Sequence, residues 1–321
     1  MSVPITVLTG FLGAGKTTLL NRILNGDHGL RVGVLVNDFG AINIDAELVV
    51  GVEANTLSLA NGCVCCEIRD DLVASVESLL ARPEAVEYVI LEASGVADPA
   101  GIFLTFNDCG LRDRVRLDSV TCVIDADQLF AYPEYPPLMD LKLRQVGFAD
   151  MLVLNKVGLA GPERVALARA WLNAHFNRLR IVETDYCEVP FEILLSAGRF
   201  DPARAHEQAH ADRHERANSD VFGTWSYETD RPLSLDALRH AARGLPGNVY
   251  RVKGVVYTTD SPDRPAVLQV VGRRVDVSLQ DSWGKRERRT QIVAIGAAGS
   301  IDARLLEATF ASCISAVAVT A

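Results

Sequence analysis

Four short stretches of this chain bring together side chains that could do chemistry. In Gly10-Phe11-Leu12-Gly13-Ala14-Gly15-Lys16-Thr17, glycines precede a lysine and a hydroxyl. Glycine lets the backbone curl until successive N–H groups face one anion. Lys16 would then reach the β- and γ-phosphates of a nucleotide, and the Thr17 hydroxyl would ligate Mg²⁺. Thr18 continues into a helix whose positive N-terminal end reinforces the same field. In Val89-Ile90-Leu91-Glu92-Ala93-Ser94-Gly95, a buried strand ends in an acid. Glu92 there can hold Mg²⁺ through water or orient an attacking water, and the Gly95 amide can approach a γ-phosphate closely. A nucleoside triphosphate is the expected ligand.

The third stretch is Asn61-Gly62-Cys63-Val64-Cys65-Cys66-Glu67. Adjacent residues cannot both face one core from a regular strand or helix, so Cys63, Cys65 and Cys66 read as thiolate ligands. Zn²⁺ would need one ligand more, from water, a carboxylate or a histidine, while Cu(I) needs fewer; a redox pair is the other reading. The remaining cysteines, at 109, 122, 187 and 313, read as packing residues. The fourth stretch is Met151-Leu152-Val153-Leu154-Asn155-Lys156-Val157-Gly158. Asn155 would bond a base and the phosphate loop, and the Lys156 stem would lie along the base plane. Selection of guanine normally relies on an Asp two residues after the Lys, where this chain has Gly158. Losing such a pair removes on the order of a few kcal/mol of discrimination, so guanine against adenine stays open. Asp38 and Asp45, after the second strand, could contact Mg²⁺ or the second metal, or only cap turns. His206, His210 and His214 would line one helix face and could collect metal loosely, but a solvated charged linker is the plainer reading.

These residues need a scaffold. Residues 1–198 alternate apolar runs with helical stretches, as a doubly wound, mostly parallel α/β sheet does. Strands are expected at 3–9, 31–37, 87–93, 119–125, 150–155 and 179–183, and helices near 16–26, 68–81, 99–108, 138–148 and 162–175. Residues 199–220 are polar and read as a linker. Residues 221–321 read as a smaller α+β domain, with helices at 234–243 and 300–313 and strands at 249–258, 266–272 and 290–296. Ser300 would cap the last helix.

A chain of 321 residues suits two such domains. With 49% hydrophobic and 23% charged residues it reads as a globular protein. No apolar run approaches the roughly 20 residues that span a bilayer, and no secretion signal opens the chain. A net charge of −9 argues against nucleic acid as the main partner. Seven cysteines, an odd number with three clustered, make a poor disulfide framework and suggest a reducing, cytoplasmic compartment.

In this order the stretches resemble the CobW-like family of P-loop GTPases, of the SIMIBI class. The resemblance is carried by Thr9 through Leu20, Asn37-Asp38-Phe39-Gly40, Asn61 through Cys66, Glu92-Ala93-Ser94-Gly95-Val96-Ala97-Asp98-Pro99, and Asn155-Lys156. It is looser at Tyr250-Arg251-Val252-Lys253-Gly254, Trp283 and Gln291 through Gly296. It implies GTP hydrolysis to GDP with Mg²⁺, coupled to passing Zn²⁺ or Co²⁺ from Cys63, Cys65 and Cys66 to a client metalloprotein. An alternative within it is an enzyme-maturation chaperone, of the nitrile hydratase or cobalamin-pathway type, whose hydrolysis remodels the client while the metal is structural. A homodimer is left open. There are two departures. The family's usual Asn-Glu-Phe-Gly-Glu becomes Asn37-Asp38-Phe39-Gly40-Ala41, and Gly158 replaces the base-reading acid.

Overall fold

The computed structural model describes residues 2–36, 56–58, 67–82, 86–100, 102, 111, 114–176, 179–195, 222–284, 286–297 and 301–315. The chain divides into two compact units, Met1–Gly198 and Arg199–Ala321.

In the first unit the strands are β1 Val3–Thr9, β2 Val32–Val36, β3 Thr56–Ser58, β4 Tyr88–Glu92, β5 Val115–Asp125, β6 Met151–Asn155 and β7 Ile181–Glu183. They form one seven-stranded sheet in the order β3-β2-β4-β1-β5-β6-β7, with every pairing parallel. Helices α1 Lys16–Leu24, α2 Glu67–Leu80, α3 Pro136–Phe148, α4 Val157–His175 and α5 Phe191–Leu194 lie between and after them. Strands β2, β4 and β6 are buried along their whole length, which is why they read as unbroken apolar runs rather than alternating ones. The chain leaves β1 toward β2 on one side and adds β5, β6 and β7 on the other. A parallel sheet that reverses direction in this way opens a crevice at the carboxyl ends of its central strands.

Local sequence explains how the site-bearing helices start. Helix α1 begins directly after Gly15, whose φ of 113° a side chain would resist. It buries Leu19, Leu20 and Ile23 completely, each contributing about 1.5–3 kcal/mol of apolar burial. Helix α4 was expected from 162. It opens instead with an extra turn at Val157, breaks at Gly161 (φ 75°, ψ 164°), and resumes at Pro162, a residue whose fixed φ suits a first helical turn.

The second unit is a five-stranded antiparallel sheet in the order β11-β10-β9-β12-β8, with all its pairings antiparallel. Its strands are β8 Phe222–Thr229, β9 Val249–Val256, β10 Ala266–Val271, β11 Arg274–Leu279 and β12 Thr290–Ala297. Helices α6 Leu235–Arg243 and α7 Ala303–Ala311 contribute Leu235, Leu238, Leu306 and Phe310 to one core with Val252, Leu268 and Ile292.

Several expectations shift. Strand β5 starts at Val115, four residues before the expected 119. Its polar Asp118 is buried but accepts a 2.6 Å hydrogen bond from the Tyr88 hydroxyl, which also meets Thr6 at 2.8 Å. A satisfied polar network of this kind is invisible to an apolar-run reading. Strands β3, β8 and β11 were not expected. Helix α7 is capped by Asp302, whose carboxylate accepts from the N–H groups of Arg304 and Leu305 at 3.0 Å. Ser300 lies outside the described residues, as do the linker at 199–220 and most of the helix expected at 99–108. No helix among the described residues is long and apolar enough to cross a membrane.

Candidate functional site

Because the sheet is parallel, the segments following β1, β4, β6 and β7 emerge at one edge. The first is the glycine loop. Gly10 has φ 133°, and a Cβ there would sit 2.1 Å from the Val123 carbonyl oxygen of β5. A Cβ on Gly15 would lie 2.5 Å from Asn155 Nδ2. Both glycines are therefore imposed by close neighbours as well as by their own backbone. Gly13 has φ 71° with nothing within 4 Å of its Cβ position, and Ala14 is buried beside it. Lys16 is almost fully buried, and its Nζ donates to the Phe11 carbonyl at 3.3 Å, inside the loop it serves.

The Thr17 hydroxyl donates to Glu92 Oε1 at 2.8 Å. Glu92 is 1% exposed, and the parallel register that pairs it with Leu8 puts it beside the root of the glycine loop. A hydroxyl and a carboxylate are hard oxygen donors, so the pair fits Mg²⁺. Gly95 follows, and a Cβ on it would lie 2.8 Å from the Leu12 backbone nitrogen. Only glycine lets the two loops approach this closely. Gln145 of α3, fully buried, holds the stretch in place by donating to the carbonyls of Gly95 and Ala97 at 3.1 and 3.2 Å. From the same helix, Lys142 donates to the carbonyls of Gln128 and Leu129 at 2.9 Å and lies 5.0 Å over the Phe11 ring. Burial lowers its pKa, an effect Asp125 partly opposes.

Asn155 is the hinge of the other half. Its amide nitrogen donates to the Ala14 carbonyl at 2.9 Å, and its oxygen accepts the Cys187 N–H at 3.0 Å. One buried side chain thus ties the glycine loop to the segment after β7. Lys156 pairs with Asp125 Oδ2 at 2.7 Å, and Asp125 Oδ1 accepts from the N–H groups of Asp127 and Gln128. Lys156, Tyr186 and Cys187 all have positive φ, at 63°, 51° and 56°. Non-glycine residues in that region cost about 1–3 kcal/mol each, and they persist where surrounding contacts hold them for a purpose.

Cys187 is therefore no mere packing residue. Its Sγ donates to the Gly15 carbonyl at 3.4 Å, and burial pushes its thiol up to about 12. Cys122, on β5 beneath the loop, is likewise raised to about 12 by burial, with Lys16 pulling the other way. Burial thus favours the protonated form of both thiols.

Of the expected site residues, Gly10, Gly13, Ala14, Gly15, Lys16, Thr17 and Thr18 form one loop and helix start, with Glu92, Gly95, Asn155 and Lys156 at the same sheet edge. Cys63, Cys65, Cys66, Asp38 and Asp45 lie outside the described residues, as do His206, His210 and His214. Among the described residues no three His, Cys, Asp or Glu side chains gather to hold a metal ion.

The CobW/HypB/UreG nucleotide-binding domain matches residues 4–182. The cobalamin synthesis protein CobW C-terminal domain matches residues 222–314. The chain belongs to the CobW family. It is 30% identical to the zinc chaperone CobW of Pseudomonas aeruginosa over 330 residues, covering 92% of this chain and 87% of that protein. A Sinorhizobium zinc chaperone CobW is 29% identical, with 92% of each chain covered. The zinc-regulated GTPase metalloprotein activator 1 of Dictyostelium discoideum is 30% identical, with 88% of this chain and 68% of the relative covered.

Within this CobW-family chain, sequence reasoning passed over the contacts of Asp125, Gln145 and Cys187. Asp125 ends an apolar strand just as Glu92 does, and that parallel was a usable signal. Gln145 and Cys187 have no local pattern that marks them, because each bonds a loop tens of residues away.

Proposed function

We propose that this chain is a GTP-hydrolysing metallochaperone that carries Zn²⁺, or Co²⁺, on Cys63, Cys65 and Cys66 and releases it to a client metalloprotein. The observation that carries the nucleotide half is the 2.8 Å contact between the Thr17 hydroxyl and buried Glu92 at the root of the glycine loop. The metal half is supported by the thiolate sequence and by relatives named zinc chaperones.

In this reading the loop amides and Lys16 hold the phosphates, and Asn155 and Lys156 hold the base. Mg²⁺, held by Thr17 and Glu92, would neutralise charge that develops on the phosphates. The alternative role for Glu92 is to orient the attacking water; in either case the Gly95 amide would approach the γ-phosphate, and Gln145 holds that residue through its carbonyl. Segments that sense the γ-phosphate tighten in the triphosphate state and relax after hydrolysis. The thiolates are drawn together in the first state and loosened in the second. A 100-fold change in metal affinity requires about 2.7 kcal/mol of coupling, and reciprocity demands that bound metal favour the triphosphate by the same factor.

Cys65→Ala tests this. It should abolish tight zinc binding and leave Mg·GDP affinity unchanged. Simultaneous loss of nucleotide binding would instead make the cysteines structural.

A further inference from the structure

Gly158 deprives the base-reading stretch of the carboxylate that faces guanine's ring N–H and exocyclic amine, and the fold supplies another from a different strand. Asp185 stands two residues beyond the end of β7, next to Tyr186. Its two carboxylate oxygens accept the Gly158 N–H at 3.0 and 3.1 Å. A Cβ on Gly158 would sit 2.8 Å from Asp185 Oδ2 and 3.4 Å from its Cγ. The Asp185 carboxylate therefore fills the space into which an acidic side chain at 158 would grow, and the glycine makes room for it.

The presentation is built rather than incidental. Asn155 anchors the turn through the Cys187 N–H. The Thr184 hydroxyl lies 3.1 Å from both the Asp185 and the Glu188 carbonyls. Tyr186 and Cys187 adopt left-handed backbone to complete the turn. The same Asn155 also holds Ala14 of the glycine loop, so Asp185 is placed relative to the phosphates through a single side chain. Each carboxylate oxygen has two acceptor sites, so bonding Gly158 leaves acceptors for two donors of a base.

We infer that Asp185 is the guanine-selecting residue of this chain, acting across from β7 in place of an acid at position 158. The inference rests on the guanine-nucleotide reading above. The rival role is purely structural: a carboxylate capping the first turn of α4, favoured there by the helix dipole.

Asp185→Asn separates the two. The amide keeps an oxygen for the Gly158 N–H, so a capping role survives, but it meets guanine's donors with a donor of its own. The full chain is titrated with Mg and GDP, XDP, IDP or ADP. GDP affinity should fall about 100-fold, the value of charge-assisted hydrogen bonds lost from a site. XDP affinity should rise, because the amide can donate to the xanthine 2-carbonyl, and ADP should stay weak. Wild-type GDP affinity with no gain for XDP overturns the assignment. A wild-type chain that prefers ADP to GDP sinks the guanine reading itself, and that result is visible without any variant. If Asp185→Asn does not fold, the pair Asp185→Ala and Gly158→Asp/Asp185→Ala decides. Moving the carboxylate to 158 should restore the GDP preference that Asp185→Ala loses, and no restoration overturns the inference.

Discussion

Asn155→Ala is the most informative single perturbation of the nucleotide half. The side chain is 2% exposed and makes two hydrogen bonds that join segments far apart in sequence, to the Ala14 carbonyl at 2.9 Å and from the Cys187 N–H at 3.0 Å. Truncation leaves a buried acceptor and a buried donor, each costing about 1–3 kcal/mol. It also releases the left-handed turn at Tyr186 and Cys187. A loss of about 3 kcal/mol is expected, a large share of a typical domain stability of about 5–15 kcal/mol. Urea unfolding of the full chain with and without Mg·GDP identifies the transition of the first unit, because bound ligand shifts only the unit that binds it. With a slope of about 1–3 kcal/mol per molar, that midpoint should fall by about 1–3 M, and GDP affinity should drop more than tenfold. Asn155→Asp should be no better, since it keeps the acceptor for Cys187 but sets a carboxylate oxygen against the Ala14 carbonyl. A midpoint and an affinity both unchanged in Asn155→Ala would refute the idea that this residue couples the two loops.

Other expectations follow from single contacts. Gly10→Ala places a Cβ 2.1 Å from the Val123 carbonyl oxygen, so it should abolish nucleotide binding by calorimetry. Glu92→Gln preserves an acceptor for Thr17 yet removes the charge, so GTP turnover should fall on the order of 100-fold in a phosphate-release assay with GDP binding retained. Burial holds the Cys122 and Cys187 thiols near 12 against an ordinary value of 9.0. The folded chain keeps these protons where the unfolded chain releases them, so their contribution is intact below about pH 9 and is lost as pH climbs toward 12. Equilibrium unfolding between pH 8 and 10.5 should show falling stability, and Cys187→Ser should flatten that slope.

The legible parts of the molecule are those that local sequence alone dictates. Glycines spaced before Lys16 and Thr17 can form little but this loop, and the two-face burial of β4 and β6 leaves unbroken apolar runs that announce parallel strands. What escaped depends on approach between distant segments. The Asp118–Tyr88 bond turns a polar stretch into the start of β5, and the edge strand β11, largely exposed, lacks the apolar signal of a core strand. Asp185 and Cys187 make their contacts to Gly158 and Asn155 because β7 packs beside β6 in register, Leu154 opposite Glu183. The hydrogen bond from the Gly158 N–H to the Asp185 carboxylate joins two such distant segments.

The central claim is that nucleotide state sets metal affinity, and zinc affinity by chelator competition tests it most directly. The full chain is measured with Mg and a non-hydrolysable GTP analogue, with Mg·GDP, and with Mg alone. The account predicts tighter zinc binding, by about 100-fold, in the triphosphate state alone. Equal affinity in all three states would contradict it.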